Sequence, residues 1–189
     1  MMKATRLLVA ALLWWGLAGP SLALVLPEGL AVDPPESVDM TLQTITRDER
    51  EKQVLAAWDG DTLRYFINLD QPPPGVVEAP LYYKGLLADM RAAGVNAEAA
   101  QRGDYAITSG LLGSYLVVKT RAPVHDRSDH TVVHFITNGK TTFIAVARLT
   151  AALTVDQLVA ETVALFQSAR MSTPEESGQG NSGRAQPDR

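Results

Sequence analysis

His130-Thr131-Val132-Val133-His134-Phe135-Ile136-Thr137, then Asn138-Gly139, then Lys140-Thr141-Thr142-Phe143-Ile144-Ala145-Val146-Ala147-Arg148-Leu149, is the stretch that decides the architecture. Both runs are rich in β-branched and aromatic residues, and the dipeptide between them accepts the positive backbone dihedrals of a tight turn. The pattern is that of a β-hairpin. A two-residue loop at Asn138-Gly139 pairs Ile136 with Thr141, His134 with Phe143, Val132 with Ala145 and His130 with Ala147. Because side chains alternate along a strand, one face carries Val132, Ile136, Phe143 and Ala145, and the other Val133, Phe135, Ile144 and Val146. Apolar side chains on both faces place this hairpin at the centre of a sheet covered on each side.

Working outward, Thr154 and Gln157 form a capping box just after the hairpin, and Leu158, Val159, Thr162, Leu165 and Phe166 recur at helical spacing. Before it, 105–108 and 114–121 read as strands joined by Ser109-Gly110-Leu111-Leu112-Gly113. That loop has no Gly-Lys-Ser/Thr ending, no G-x-G-x-x-G and no G-x-S-x-G, so it reads as a strand connection and not as a phosphate loop or serine elbow. The alanine-rich 95–103 suggests a further helical turn. A helix over 81–93 begins near Pro80 and stops at Gly94, with Leu86, Leu87, Met90 and Ala93 on one stripe. The prolines of Gln71-Pro72-Pro73-Pro74-Gly75 break pairing and make a stiff connector.

A first hairpin precedes that connector. The runs 53–58 and 62–69 flank Asp59-Gly60. As a two-residue loop this pairs Trp58 with Asp61, Ala56 with Leu63 and Val54 with Tyr65, gathering Val54, Trp58, Leu63, Tyr65 and Ile67 on one face. The stretch 37–45 alternates Val38, Met40 and Leu42 with polar residues, a strand signal, and the prolines around 29–32 allow a short edge strand. The expected class is α+β: a mostly antiparallel central sheet of two hairpin-rich halves with helices packed on it.

The termini differ in kind. Residues 1–23 have a basic head at Lys3 and Arg6, an apolar run over 7–18, and Ser21-Leu22-Ala23 as a cleavage site, so they read as a removable export signal with the mature chain starting near Leu24. Gly16, Gly19 and Pro20 end the apolar run short of the ~20 residues of a spanning helix, so no stable membrane span is expected after cleavage. A single domain over 24–170 follows, and the polar 171–189 is expected to be a disordered tail. There are no cysteines, which excludes disulfides, thiol chemistry and a lipid anchor on cysteine. Loss of the signal leaves 15 basic against 21 acidic side chains, a net charge of -6, with no basic stripe for nucleic acid. Periplasmic or secreted localisation is expected.

The order of elements, with Gly29-Leu30-Ala31-Val32-Asp33-Pro34 at the start, the long middle hairpins, and the last strand running into the helix at Thr154, resembles the Mog1/PsbP-like sandwich of DcrB-type exported bacterial proteins. The aromatic residue such proteins often place after the first proline is missing. The resemblance implies an accessory or binding role more than catalysis.

Three classes of function compete. The leading reading is a non-catalytic protein acting on another envelope or secreted protein, such as an assembly factor or toxin-neutralising immunity protein, with no cofactor. The alternative is a metal or small-ligand binder using His125, Asp126, Asp129 and His130, since all three histidines fall within ten residues. His130 and His134 cannot share one ion from a strand, because four residues separate them by about 13 Å, and His134 is expected half-buried beside Phe143. The last class is a hydrolase. Ser109 or Ser114 with a histidine and Asp126 or Asp129 could form a triad, but almost any chain contains such residues, and Asp59 and Asp61 most simply finish a solvated turn.

Overall fold

The computed structural model describes residues 23–26, 29–36, 38–47, 50–70, 75, 78–121, 128–150 and 152–173. Ten strands and two helices occur among them: β1 (Leu24–Val25), β2 (Leu30–Val32), β3 (Asp39–Arg47), β4 (Arg50–Asp59), β5 (Thr62–Asp70), α1 (Ala79–Ala92), β6 (Asn96–Ala106), β7 (Leu112–Arg121), β8 (Ser128–Thr137), β9 (Thr142–Leu149), α2 (Val155–Gln167) and β10 (Arg170–Met171). Seven strands form one sheet in the order β3-β4-β5-β9-β8-β7-β6, antiparallel throughout. The fold is α+β.

The β8–β9 hairpin lies inside this sheet, as its two apolar faces require. Its register is Ile136 with Phe143, His134 with Ala145 and Val132 with Ala147. This differs by two residues from a tight two-residue turn. Asn138 accepts from the Lys140 and Thr141 amides through Oδ1 and donates its own amide to the Thr141 carbonyl, so the connection spans four residues. A slip of two preserves side-chain parity. Val132, Ile136, Phe143 and Ala145 therefore join one core with α2, and Val133, Phe135, Ile144 and Val146 join a second core with α1.

The first hairpin departs further. Its turn is Gly60-Asp61, with Asp59 opposite Thr62 and Trp58 opposite Leu63, and then a bulge leaves Arg64 unpaired so that Ala57 meets Tyr65. The bulge adds an odd residue to the offset, and parity inverts on β4. Leu55 and Ala57, not Val54 and Trp58, face the α2-side core with Tyr65 and Ile67.

The small sheet β1-β2-β10 lies against the α2-side core through Leu24, Leu30 and Val32. Here β2 is the middle strand and not an edge, because the chain returns after α2: Arg170 pairs with Ala31, Met171 with Leu30, and the Ser172 amide donates to the Gly29 carbonyl at 2.6 Å. Order thus extends past residue 170, where the polar tail was expected to begin. The alanine-rich 95–103 forms the edge strand β6 and not a helical turn, since β7 offers it a ladder along its whole length. Pro80 lies in the first turn of α1, and Gly94 after its end takes φ +80. The capping box of α2 is complete in both directions. Among the described residues no helix is long and apolar enough to cross a membrane. The expected signal up to residue 22, most of the proline connector and residues 174–189 lie outside the described residues.

Candidate functional site

The histidine-rich segment is divided by the structure. His125 and Asp126 lie outside the described residues. Asp129 and His130 are successive residues of β8, so their side chains leave opposite faces, and the Asp129 carboxylate accepts the His130 amide at 2.9 Å. His130 sits opposite Lys119 in the ladder, a cation beside the position a metal would need. Among the described residues no group of three potential ligands gathers.

His134 behaves otherwise. It is fully buried on the α2 side, opposite Ala145 and not Phe143. Thr162 donates its hydroxyl to the Leu158 carbonyl at 2.7 Å, so its oxygen accepts from His134 Nε2–H at 2.8 Å. That leaves Nδ1 as the acceptor for the Tyr105 hydroxyl at 3.1 Å. The sequence order Tyr105, His134, Thr162 becomes a one-way chain of donors ending on a backbone carbonyl. Burial lowers the His134 pKa to about 3 and raises that of Tyr105, so both are neutral at ordinary pH. The rings of Tyr105, Tyr115 and Phe166 surround the imidazole, Phe166 at 4.9 Å between centroids.

Two glycines make this enclosure possible. Gly113 lies opposite Tyr105, and Gly103 opposite Tyr115. A Cβ on Gly113 would stand 2.3 Å from the Tyr105 ring, and one on Gly103 would stand 2.7 Å from that of Tyr115. Each tyrosine therefore lies flat across a bare backbone, which brings the Tyr105 hydroxyl to β8. With both ring nitrogens engaged, His134 is a packing and hydrogen-bonding residue.

The bulge in β5 builds a second polar group. A bulge turns adjacent side chains toward the same face, and Arg64 and Tyr65 both approach α2. Arg64 pairs with Glu161 of α2 and, at 3.2 Å, with Asp59. The hydrogen bond to Glu161 holds the guanidinium firmly protonated. The Thr150 hydroxyl donates to the Arg64 carbonyl and anchors the bulge. Arg64 Nε, the Tyr65 hydroxyl and Glu161 Oε2 are buried without a hydrogen-bond partner among the described residues. Burial, reinforced by the Glu161 charge, raises the Tyr65 pKa and keeps it un-ionised. Sequence reasoning missed this group. Its one signal is Arg64 itself, a charge inside Leu63-Arg64-Tyr65-Phe66-Ile67.

A polar cleft of about 150 Å³ lies where β6 begins and β7 ends, lined by Asn96, Glu98, Lys119 and Arg121, with Glu98 and Lys119 paired at 3.6 Å. Ser114, one of the serines a triad would need, is buried against the Tyr83 hydroxyl at 3.1 Å, on the face opposite His134. Ser109 donates to the Ala169 carbonyl at 2.7 Å.

No protein-family model matches this chain, and no curated protein matches it. Among solved structures it is similar to the Pseudomonas aeruginosa protein PA94, of unknown function, at 12% identity and a TM-score of 0.39, over 76% of this chain and 92% of that one.

Proposed function

We infer that this is an exported accessory protein of the bacterial envelope, built as a Mog1/PsbP-like sandwich, that acts by contact with another envelope or secreted protein. The observation that carries the reading is the open sheet. β3, with nine residues, and β6, with eleven, close its two ends, each with one side of its backbone unpaired among the described residues. Such an edge is a ready surface for a partner strand. The His134 group supports the same reading from the other side, since His134, Tyr105 and Thr162 satisfy one another inside the core.

The test is affinity capture by the mature chain from periplasmic extract, followed by reconstitution with the purified captured protein and crosslink mapping. The expected outcome is a stoichiometric complex whose crosslinks fall on β6 or β3. A chain recovered only with an intact Met1 in the membrane fraction would sink the export half of the reading. A captured protein that fails to bind when purified would sink the other half.

A further inference from the structure

We propose that the β3 edge seats a second copy of this chain, the two sheets joining antiparallel about a two-fold axis at Gln43. The two ends of the sheet are unlike. β6 carries devices that discourage pairing with a copy of itself: a bulge that leaves Ala100 unpaired, and exposed charges at Glu98, Arg102 and Asp104. β3 carries none over its interior. It pairs with β4 without a register shift from Asp39 to Arg47, contains no Pro, Gly or Lys, and leaves Thr41, Gln43, Thr44 and Ile45 exposed. A straight edge rich in β-branched residues is a template for pairing unless something covers it.

The sequence of β3 says what covers it, because it is complementary to itself in one register. With Gln43 opposite Gln43 of the second copy, Asp39 falls opposite Arg47, Met40 opposite Thr46, Thr41 opposite Ile45 and Leu42 opposite Thr44. In this register, positions of unlike charge lie opposite each other at both ends, and threonine positions lie opposite aliphatic ones between them. A slip of two residues one way leaves Asp39 facing Ile45. A slip the other way carries Asp39 past the end of β3, with no residue of the strand opposite it. In the matched register the two Leu42 side chains become diagonal neighbours on the side of the α2 core, to which Met40 and Leu42 already belong, so the apolar layer continues across the axis. The contact is isologous and closes as a dimer, and each copy keeps its β6 edge. The inference shares the open sheet with the functional reading but requires no other protein, so the purified chain tests it alone.

The chain lacks cysteine, so Gln43→Cys supplies one thiol per copy. Directly opposed residues of antiparallel strands lie about 4.5–5.5 Å apart at Cα, within disulfide reach. Under mild oxidation Gln43→Cys is expected to form a covalent dimer, while Ala100→Cys on the other edge does not. In sedimentation equilibrium the wild type is expected to dimerise. Asp39→Arg, which makes both symmetric charge pairs repulsive, is expected to raise the dissociation constant by about tenfold or more, and Asp39→Arg with Arg47→Asp to restore it. Three results overturn the proposal: a wild type monomeric at its highest soluble concentration, a dimer indifferent to Asp39→Arg, or equal crosslinking from Ala100→Cys.

Discussion

The two faces of the seven-stranded sheet are closed by one helix each, yet they differ in depth. α2 buries Leu158, Val159, Thr162, Leu165 and Phe166, starts from a complete capping box, and shares its face with the small sheet β1-β2-β10. α1 buries only Tyr83, its N-cap Glu78 makes no side-chain cap, and Leu86, Leu87 and Met90 stay half-exposed. An amphipathic stripe in sequence announces a helix on a sheet, and the difference teaches that it does not announce how much of the stripe is sealed. What seals it is a second layer from distant chain, here both ends of the domain folding over one face. The largest expected effect follows. Phe166→Ala removes a fully buried ring against His134 and should destabilise by about 3–5 kcal/mol, whereas Met90→Ala on the other face should lose about 1–2 kcal/mol. Urea denaturation of both variants measures the gap, and equal losses would erase the distinction between the faces.

The α2 face also carries the sheet's buried histidine, so acid should attack it first. Folded His134 has a pKa near 3, against the ordinary 6.5 of an unfolded chain. Between those values the unfolded state binds a proton that the folded state refuses. Stability is therefore complete above pH 6.5 and declines as pH falls toward 3, by up to about 1.4 kcal/mol per unit from this group. Measuring the unfolding free energy from pH 7 to 5, above the carboxylate range, isolates it. His134→Gln should flatten the slope there. A slope unchanged in that variant would assign the acid sensitivity elsewhere.

Parity explains how much of this was legible beforehand. The sequence pattern of the β8–β9 hairpin gives the correct faces even from a two-residue turn, because the slip is two residues and a strand repeats every two. The pattern of the β4–β5 hairpin gives the wrong faces for β4, because a bulge at Arg64 adds an odd residue and nothing local marks a bulge except a charge in an apolar run. Thr154 and Gln157 declared their helix start, since capping is decided within four residues. The Tyr105–His134–Thr162 chain was invisible for the opposite reason. Its members are spaced 29 and 28 residues apart, and only the order β8-β7-β6 with α2 overhead brings them together.

The smallest effect tests whether the α1 face, though thin, is specified by its polar group. The Tyr83 hydroxyl donates to the Val133 carbonyl at 3.3 Å and therefore accepts from Ser114 Oγ at 3.1 Å. Both partners sit on the sheet and the tyrosine on the helix, so these two bonds fix where α1 lies along β7 and β8. Tyr83→Phe keeps the ring, its edge contact with Phe135 at 6.4 Å and nearly all its volume, and removes only the hydroxyl. Val133 remains in the β7–β8 ladder opposite Leu116, and the Ser114 hydroxyl can rotate. The loss should therefore be about 0.5–1.5 kcal/mol, the net worth of a neutral hydrogen bond, and not that of an orphaned charge. Amide exchange adds the decisive readout. If the hydroxyl positions the helix, α1 amides should lose protection in Tyr83→Phe while α2 amides keep theirs. Uniform loss across both helices would mean the two faces unfold as one unit, and the contrast between them would then be one of packing alone.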